Sequence, residues 1–322
     1  MRSLDQLQRA AAETGFPSDG LEKVLNLLRL LDGFRSHPYL KTRLALKGGT
    51  ALNLFEFDVP RLSVDIDLNY VGSPDRDTML AERPEVERAI EAVCGRLDLT
   101  VKRVPSEHAG GKWRLGYLRA AGGTGTLELD LNFVLRVPLW PVAIRDSRTV
   151  AGEGARAVPV LDVHELIAGK LAALFGRTAA RDVFDAHGLL GRSDLDEPRL
   201  RLAFVAYGAM NRRDWRTVST DEMRLEPKEA ERMLLPLLRA GVGPPRGEVA
   251  GWTSALVEAT RERLAVVLPL RSNEVEFLDA LLDRGEVRPE LLTGDLALGE
   301  RLREHPGLLW KAQNVRGYLT RG

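Results

Sequence analysis

The hydrophobic positions of this chain follow two regimes. Over residues 18–36, Leu21, Val24, Leu25, Leu28 and Leu31 recur at spacings of three and four, which predicts an amphipathic helix. Residues 43–47 form a short apolar run that halts at Gly48-Gly49, and residues 50–57 predict a short helix. Residues 64–71 alternate cleanly and predict a strand. A helix is expected over 84–97 and strands over 99–104, 112–119 and 126–135, the last two joined by the turn Ala121-Gly122-Gly123-Thr124-Gly125. Beyond Leu161 the period becomes helical. Asp162-Val163-His164-Glu165 has the form of a capping box opening a helix to about Phe175. Further helices are expected over 179–190, 198–210, 227–240, 251–264, 273–283 and 297–305, with Pro244-Pro245 marking a loop. The chain therefore reads as α+β: a core with a mixed sheet and N-terminal helices over residues 1–161, then a mainly helical domain over residues 162–322.

Composition narrows the class. A chain of 322 residues, 44% hydrophobic, is long enough for two domains with sizeable cores. Its 46 Lys and Arg balance 46 Asp and Glu, so the basic surplus that would point to nucleic acid is missing, and any such binding must come from a local patch. Cys94 is the only cysteine, which excludes an intramolecular disulfide and a cysteine zinc cluster and fits a reducing compartment. Arg2, Asp5 and Arg9 interrupt the start, which lacks the apolar centre of a signal peptide. No run approaches the roughly 18 apolar residues of a membrane span. A soluble, cytoplasmic protein without membrane partners is the expectation.

The candidate chemistry lies on two acidic strands. In Val64-Asp65-Ile66-Asp67-Leu68-Asn69-Tyr70, alternation puts Asp65, Asp67 and Asn69 on one face and the apolar residues on the other. Carboxylates side by side repel each other; a divalent cation between them turns that cost into a site, and Mg²⁺ takes hard oxygen ligands plus substrate phosphates. In residues 126–133, Glu128, Asp130 and Asn132 share a face in the same way. If the two strands are neighbours, a third carboxylate joins Asp65 and Asp67, as two-metal phosphoryl chemistry requires. Asp130 and Glu128 both stand as candidates for it. Gly48-Gly49 precedes a helix, where backbone can approach a phosphate closely, and Thr50 or Ser63 can add a hydroxyl. Taken singly, a glycine pair is an ordinary turn and an Asp-x-Asp strand a solvated sheet face. Their succession in this order favours a nucleotide site.

These motifs carry a resemblance. Gly48-Gly49-Thr50-Ala51-Leu52 followed by Arg61-Leu62-Ser63-Val64-Asp65-Ile66-Asp67-Leu68 resembles the AbiEii/AbiGii nucleotidyltransferases, a group that includes the MenT toxins and belongs to the DNA polymerase β-like superfamily. His164 to Leu174, with Lys170, then Arg181-Asp182-Val183-Phe184-Asp185, look like the family's lysine and Arg-Asp-x-x-Asp motifs, and His305-Pro306 with Trp310 to Val315 resembles family tails. The resemblance spans about residues 43–315. It implies a polymerase β-like nucleotidyltransferase fold, and a toxin that transfers NMP from an NTP to an RNA, most plausibly the 3′ end of tRNA. It also implies Mg²⁺, or Mn²⁺ in its place, on Asp65, Asp67 and Asp130, and a cognate antitoxin encoded nearby. Nucleotide binding would fall to Gly48, Gly49, Thr50, Ser63 and Lys170. Other acceptors, a small molecule such as an antibiotic or a protein, keep the same chemistry; a non-catalytic NTP-binding module does not.

Several residues admit two readings. Lys170 interrupts the apolar stripe of Leu166, Ile167, Leu171 and Leu174. It either snorkels outward or faces a triphosphate, and the resemblance implies the second. Asp182 either pairs with Arg181 or belongs to the active site, where the resemblance places it. Arg199, Arg201, Arg212, Arg213 and Arg216 around Trp215, and the looser group Arg261, Arg263 and Arg271, are either a phosphate-binding, base-stacking patch or a solvated helix surface. His108, His164 and His187 lack metal spacing and read as structural, and His305 as a helix end.

Overall fold

The computed structural model describes residues 2–104, 110–177 and 179–320. His108 lies outside the described residues. The chain forms two compact units. The first comprises Met1–Arg136, Val142–Leu161 and Leu235–Gly243; the second comprises Val137–Pro141, Asp162–Leu234 and Pro244–Gly322.

Unit 1 opens with α1 (Leu4–Thr14), started by a reciprocal cap in which Gln6 N–H donates to Ser3 Oγ at 3.3 Å and Ser3 N–H to Gln6 Oε1 at 2.9 Å. Only Leu7 and Ala10 of α1 are buried, so the apolar period that reveals α2 is faint there. In α2 (Ser18–Ser36) Leu21, Val24, Leu25, Leu28 and Leu31 all face the core. Then come β1 (Leu44–Lys47), the four-residue α3 (Gly48–Ala51) continuing as a π turn over Leu52–Glu56, and β2 (Asp65–Tyr70). The next helix, α4 (Arg76–Arg96), starts eight residues before Pro84, where the sequence pattern opened it. Asp75 caps it by accepting the Thr78 N–H at 2.8 Å, and between Arg76 and Glu85 only Met79 is buried, so no apolar period marks its start.

The remaining strands are β3 (Thr100–Val104), β4 (Gly110–Leu118), β5 (Thr124–Asn132), β6 (Ala143–Arg145) and β7 (Val158–Val160). They form one mixed sheet in the order β3-β4-β5-β2-β1-β7-β6. The β2–β5 and β1–β7 pairs are parallel and the others antiparallel. The three-residue β6 and β7 are too short to show a period. On β2 and β5, Ile66, Leu68, Leu127, Leu129 and Leu131 are buried. Each such side chain contributes about 1.5–3 kcal/mol. That apolar face fixes the register, because a slip of one residue would turn the acidic face inward. Residues 235–243 return to unit 1 as a 3-10 turn (Leu235–Leu237), a single bridge of Leu238 to Arg61 and a further turn: Leu62 N–H donates to Leu237 O at 2.8 Å and Arg239 N–H to Pro60 O at 3.0 Å. The helix expected over 227–240 therefore stops early.

Unit 2 is helical: α5 (Val163–Arg177), α6 (Ala180–Leu190), α7 (Glu197–Ala209), α8 (Pro227–Met233), α9 (Val249–Arg263), α10 (Ser272–Arg284), α11 (Leu296–Arg303) and α12 (Pro306–Leu319). The expected capping box at Asp162 does not form. Asp162 accepts the His164 N–H at 2.9 Å, while Glu165 turns inward and accepts the N–H groups of Leu139 and Trp140 at 3.0 and 3.2 Å. Burial pushes the Glu165 carboxyl up to about 7. Phe175, Phe204 and Trp215 pack with ring centroids 5.1–6.1 Å apart. Beside them Arg201 and Glu274, both nearly inaccessible, form a two-pronged ion pair at 2.6 and 2.8 Å, and Arg201 also donates to Val266 O and Pro269 O.

Glu274→Leu removes one member of this pair and leaves the guanidinium buried without its counter-charge, so it is expected to cost about 3–5 kcal/mol. Chemical denaturation measures it. A loss below about 1 kcal/mol would show that the carbonyl contacts alone satisfy Arg201.

Candidate active site

The register of unit 1 lines up a row of charges. Lys47 on β1 lies opposite Asp67 on β2, Asp67 opposite Asp130 on β5, and Asp130 opposite Lys112 on β4. Directly paired residues project to one face with Cβ atoms about 4.5–5.5 Å apart, and like charges so placed destabilise a sheet. Asp65 sits one repeat along β2 on the same face, opposite Glu128.

The two candidates for a third carboxylate differ in their surroundings. Glu128 is held by Lys112 at 2.7 Å and Arg114 at 3.4 Å, and the Lys112 hydrogen bond keeps its carboxyl below the usual range. Asp130 and Asp67 have no hydrogen-bond or ion-pair partner among the described residues. Burial holds the Asp130 carboxyl above the usual carboxylate range; Lys47 pulls it down and Asp67 pushes it up. Among the described residues no three His, Cys, Asp or Glu side chains converge as a ready-made metal cage. Mg²⁺ does not need one, since it keeps waters and takes one or two protein carboxylates together with substrate phosphates. Unpaired Asp67 beside unpaired Asp130 is a donor set of that kind.

The glycine turn is shaped by these neighbours. Gly48 has φ +71° and lies against the Asp67 carboxylate, so any side chain there meets both a backbone penalty and a collision. At Gly49 a Cβ would come 2.8 Å from Ser63 Oγ and 3.2 Å from Arg61 Nη2. Asn53 Nδ2 donates to Gly49 O at 2.9 Å and steadies the turn. Thr50 is wholly buried and its hydroxyl donates to Asp65 O, fastening the turn to β2. Its donor is thus occupied within the protein, whereas Ser63 borders the turn itself. Lys47 and Arg61 are cations at this turn that the sequence reading passed over. Their position immediately around Gly48-Gly49 and the Asp-x-Asp strand was the available signal.

Unit 2 holds a second charge cluster. Lys170 on α5 does not snorkel. It is 8% exposed, and its ammonium lies 2.9 Å from Asp182 and 2.8 Å from Asp185 on α6. Arg177, not Arg181, completes the cluster, donating to Asp182 at 2.8 Å. Burial opposes ionisation of Asp182, but Lys170 and Arg177 hold its carboxyl below the usual range. Asp185 was missing from the predicted site, although its i+3 spacing from Asp182 on one helix face could have found it.

The suspected base-stacking patch is not one. Trp215 is fully buried in the aromatic core and cannot stack a base. Arg201 pairs with Glu274, Arg213 with Glu222, and Arg216 with Asp214, Asp279 and Asp283 at 2.6–2.8 Å. In sequence these arginines cluster; in the fold each is paired with acidic residues, Arg201 and Arg216 with partners on α10 far along the chain. Among the histidines, His164 bonds Asp162 at 2.8 Å and accepts the Asp196 N–H at 3.0 Å, burial lowers the His187 pKa, and His305 caps α12.

Comparison with known proteins follows this geometry. The family model described as nucleotidyl transferase AbiEii toxin, type IV TA system, matches residues 29–249. The structure of MenT4, a nucleotidyltransferase toxin from Mycobacterium tuberculosis H37Rv, superposes with a TM-score of 0.58 at 19% identity, covering 96% of this chain and 99% of that one. The two share a nucleotidyltransferase fold. No curated protein matches the sequence. Among the described residues no helix is long and apolar enough to cross a membrane.

Two measurements probe the clusters. Because the folded-state pKa of Asp130 is raised, its contribution to stability is full below the unfolded pKa and is lost as pH rises through the folded value. Asp130→Asn should therefore raise the melting temperature of metal-free protein at neutral pH and leave it unchanged in acid; equal melting at both pH values would remove the strain argument. Lys170→Met strands two buried carboxylates and should cost about 3–5 kcal/mol. Adding Asp185→Asn should recover part of that loss in denaturation titrations, whereas additive losses would show that the pair is not coupled.

Proposed function

The chain belongs to the AbiEii nucleotidyltransferase toxins of type IV toxin–antitoxin systems, and on that premise we propose that it transfers a nucleoside monophosphate from an NTP to an RNA, with the 3′ end of tRNA as acceptor. Membership implies an NTP substrate and a cognate antitoxin. The RNA acceptor rests on the resemblance of the Gly48-Gly49 and Asp65/Asp67 motifs to the MenT group. The observation that carries the chemistry is the unpaired couple Asp67 and Asp130, abreast on parallel strands beside the Gly48 turn.

In this reading Asp65, Asp67 and Asp130 hold Mg²⁺ or Mn²⁺, which when bound neutralises triphosphate charge and lowers the pKa of the acceptor hydroxyl. Gly48 and Gly49 admit the phosphates close to backbone, and the Ser63 hydroxyl is the nearest side-chain donor to Gly49. The acceptor oxygen forms a bond to the α-phosphorus while the bond to the β-phosphate bridging oxygen breaks, releasing pyrophosphate. Asp130, beside Asp67 and without an internal hydrogen-bond or ion-pair partner among the described residues, takes the hydroxyl proton. The resemblance gives Lys170 the triphosphate charge and places Asp182 in the active site, orienting Lys170 or the acceptor. The helical part supplies the acceptor surface. A small-molecule or protein acceptor is the second reading. It is favoured by the internal pairing of Arg201, Arg213 and Arg216, which leaves these arginines no charge for a phosphate backbone.

Total tRNA incubated with the protein, Mg²⁺ and each α-labelled NTP in turn should become labelled. Asp67→Ala should lower the rate about 100-fold or more while keeping the fold. No label on tRNA with any NTP would discard the RNA acceptor and leave the second reading.

A further inference from the structure

The row Lys47–Asp67–Asp130–Lys112 is flanked by a lysine at each end, and the two lysines are not equivalent. Lys112 is engaged by Glu128 at 2.7 Å. Lys47 has no hydrogen-bond or ion-pair partner for its ammonium among the described residues. It is half-buried, ends β1, and leads straight into Gly48-Gly49, where the Gly48 backbone lies against the Asp67 carboxylate. A lysine whose task was to neutralise Asp67 would be within ion-pair distance of it; this one acts through space on the Asp130 carboxylate without being bound to either aspartate.

The row also has a direction. Asp67 separates Lys47 from Asp130, so the carboxylate assigned to the acceptor proton and the unengaged cation lie on opposite sides of the central aspartate. In an in-line displacement the attacking and departing oxygens likewise lie on opposite sides of the phosphorus. We propose that Lys47 is the leaving-group cation of this enzyme: its ammonium binds the β- and γ-phosphates of the NTP and the pyrophosphate they become, and in the nucleotide-free protein it screens the Asp67–Asp130 repulsion. This rests on the reading of the acidic row as the metal and nucleotide site. A compact ammonium with three donors suits this position, because it serves whichever phosphate oxygens face the turn.

Two opposite effects follow from removing that charge. Lys47→Met should weaken pyrophosphate as a product inhibitor about tenfold or more, since a charge-assisted hydrogen bond to phosphate is lost. The same variant should bind Mn²⁺ alone, without nucleotide, at least as tightly as the wild type and about threefold tighter at low salt, since a neighbouring positive charge has gone. Lys47→Arg keeps the charge and should stay within about threefold of the wild type in both titrations. Pyrophosphate inhibition unchanged in Lys47→Met, or Mn²⁺ binding weakened by it, would overturn the proposal; the second result would make Lys47 a scaffold for the carboxylates. Should Lys47→Met fail to fold, Lys47→Gln gives the same comparison. Asp67→Ala, titrated with Mn²⁺ in parallel, separates the two levels of inference. If it binds Mn²⁺ and transfers label like the wild type, the reading of the row as the site has failed, whatever Lys47 does.

Discussion

Two carboxylates held abreast on parallel strands, with no cation bonded to either among the described residues, are the constraint around which unit 1 is built. The arrangement of Asp67 and Asp130 costs free energy in the absence of a ligand, and the surrounding structure offsets that cost. The buried faces of β2 and β5 lock the register, so the carboxylates cannot slide apart without exposing Leu68, Leu129 and Leu131. Gly48 gives the Asp67 side chain room that no other residue would leave, and the buried Thr50 hydroxyl ties the turn to the strand. The like charges stay adjacent against their repulsion, and the proposed metal and nucleotide site draws on that electrostatic character.

Unit 2 treats charge in the opposite way. Lys170, Asp182 and Asp185 are buried, and the largely exposed Arg177 completes a neutral set in which each carboxylate meets a cation. Buried pairs of this kind add little net stability over apolar packing but punish the loss of one partner severely. The family motifs draw attention to both clusters equally; their electrostatics differ. In the first, Asp67 and Asp130 have no internal cation bonded to them among the described residues; the second is closed upon itself. Any role of Lys170 toward a phosphate requires the triphosphate to compete with two carboxylates that already hold the ammonium.

Pairing also settles where a basic surface can be. Arg201, Arg213 and Arg216 are bound by Glu274, Glu222 and the trio Asp214, Asp279 and Asp283. These ion pairs stitch α7 and the segment after it to α10. The zero net charge of the sequence is thus realised locally, as acid–base pairs, and not as separate acidic and basic faces in this part of the fold.

The sequence by itself determined the elements with a strong period and the chemistry that period exposes. Helix α2, the acidic strands β2 and β5, and the common face of Asp65 and Asp67 follow from side chains repeating every 3.6 or every two residues, a property of the local backbone. The family likeness was legible for the same reason, because its motifs are local. Only the tertiary structure decided the rest. It gave Glu128 and Asp130 different surroundings, because β4 brings Lys112 and Arg114 to the first, while the second has no hydrogen-bond or ion-pair partner among the described residues. It buried Trp215, gave Lys170 its two aspartates, and ended the helix expected over 227–240 at Met233, so that residues 235–243 join unit 1. These outcomes depend on residues far apart in the chain, and the free energy of bringing them together is not written in the spacing of their neighbours.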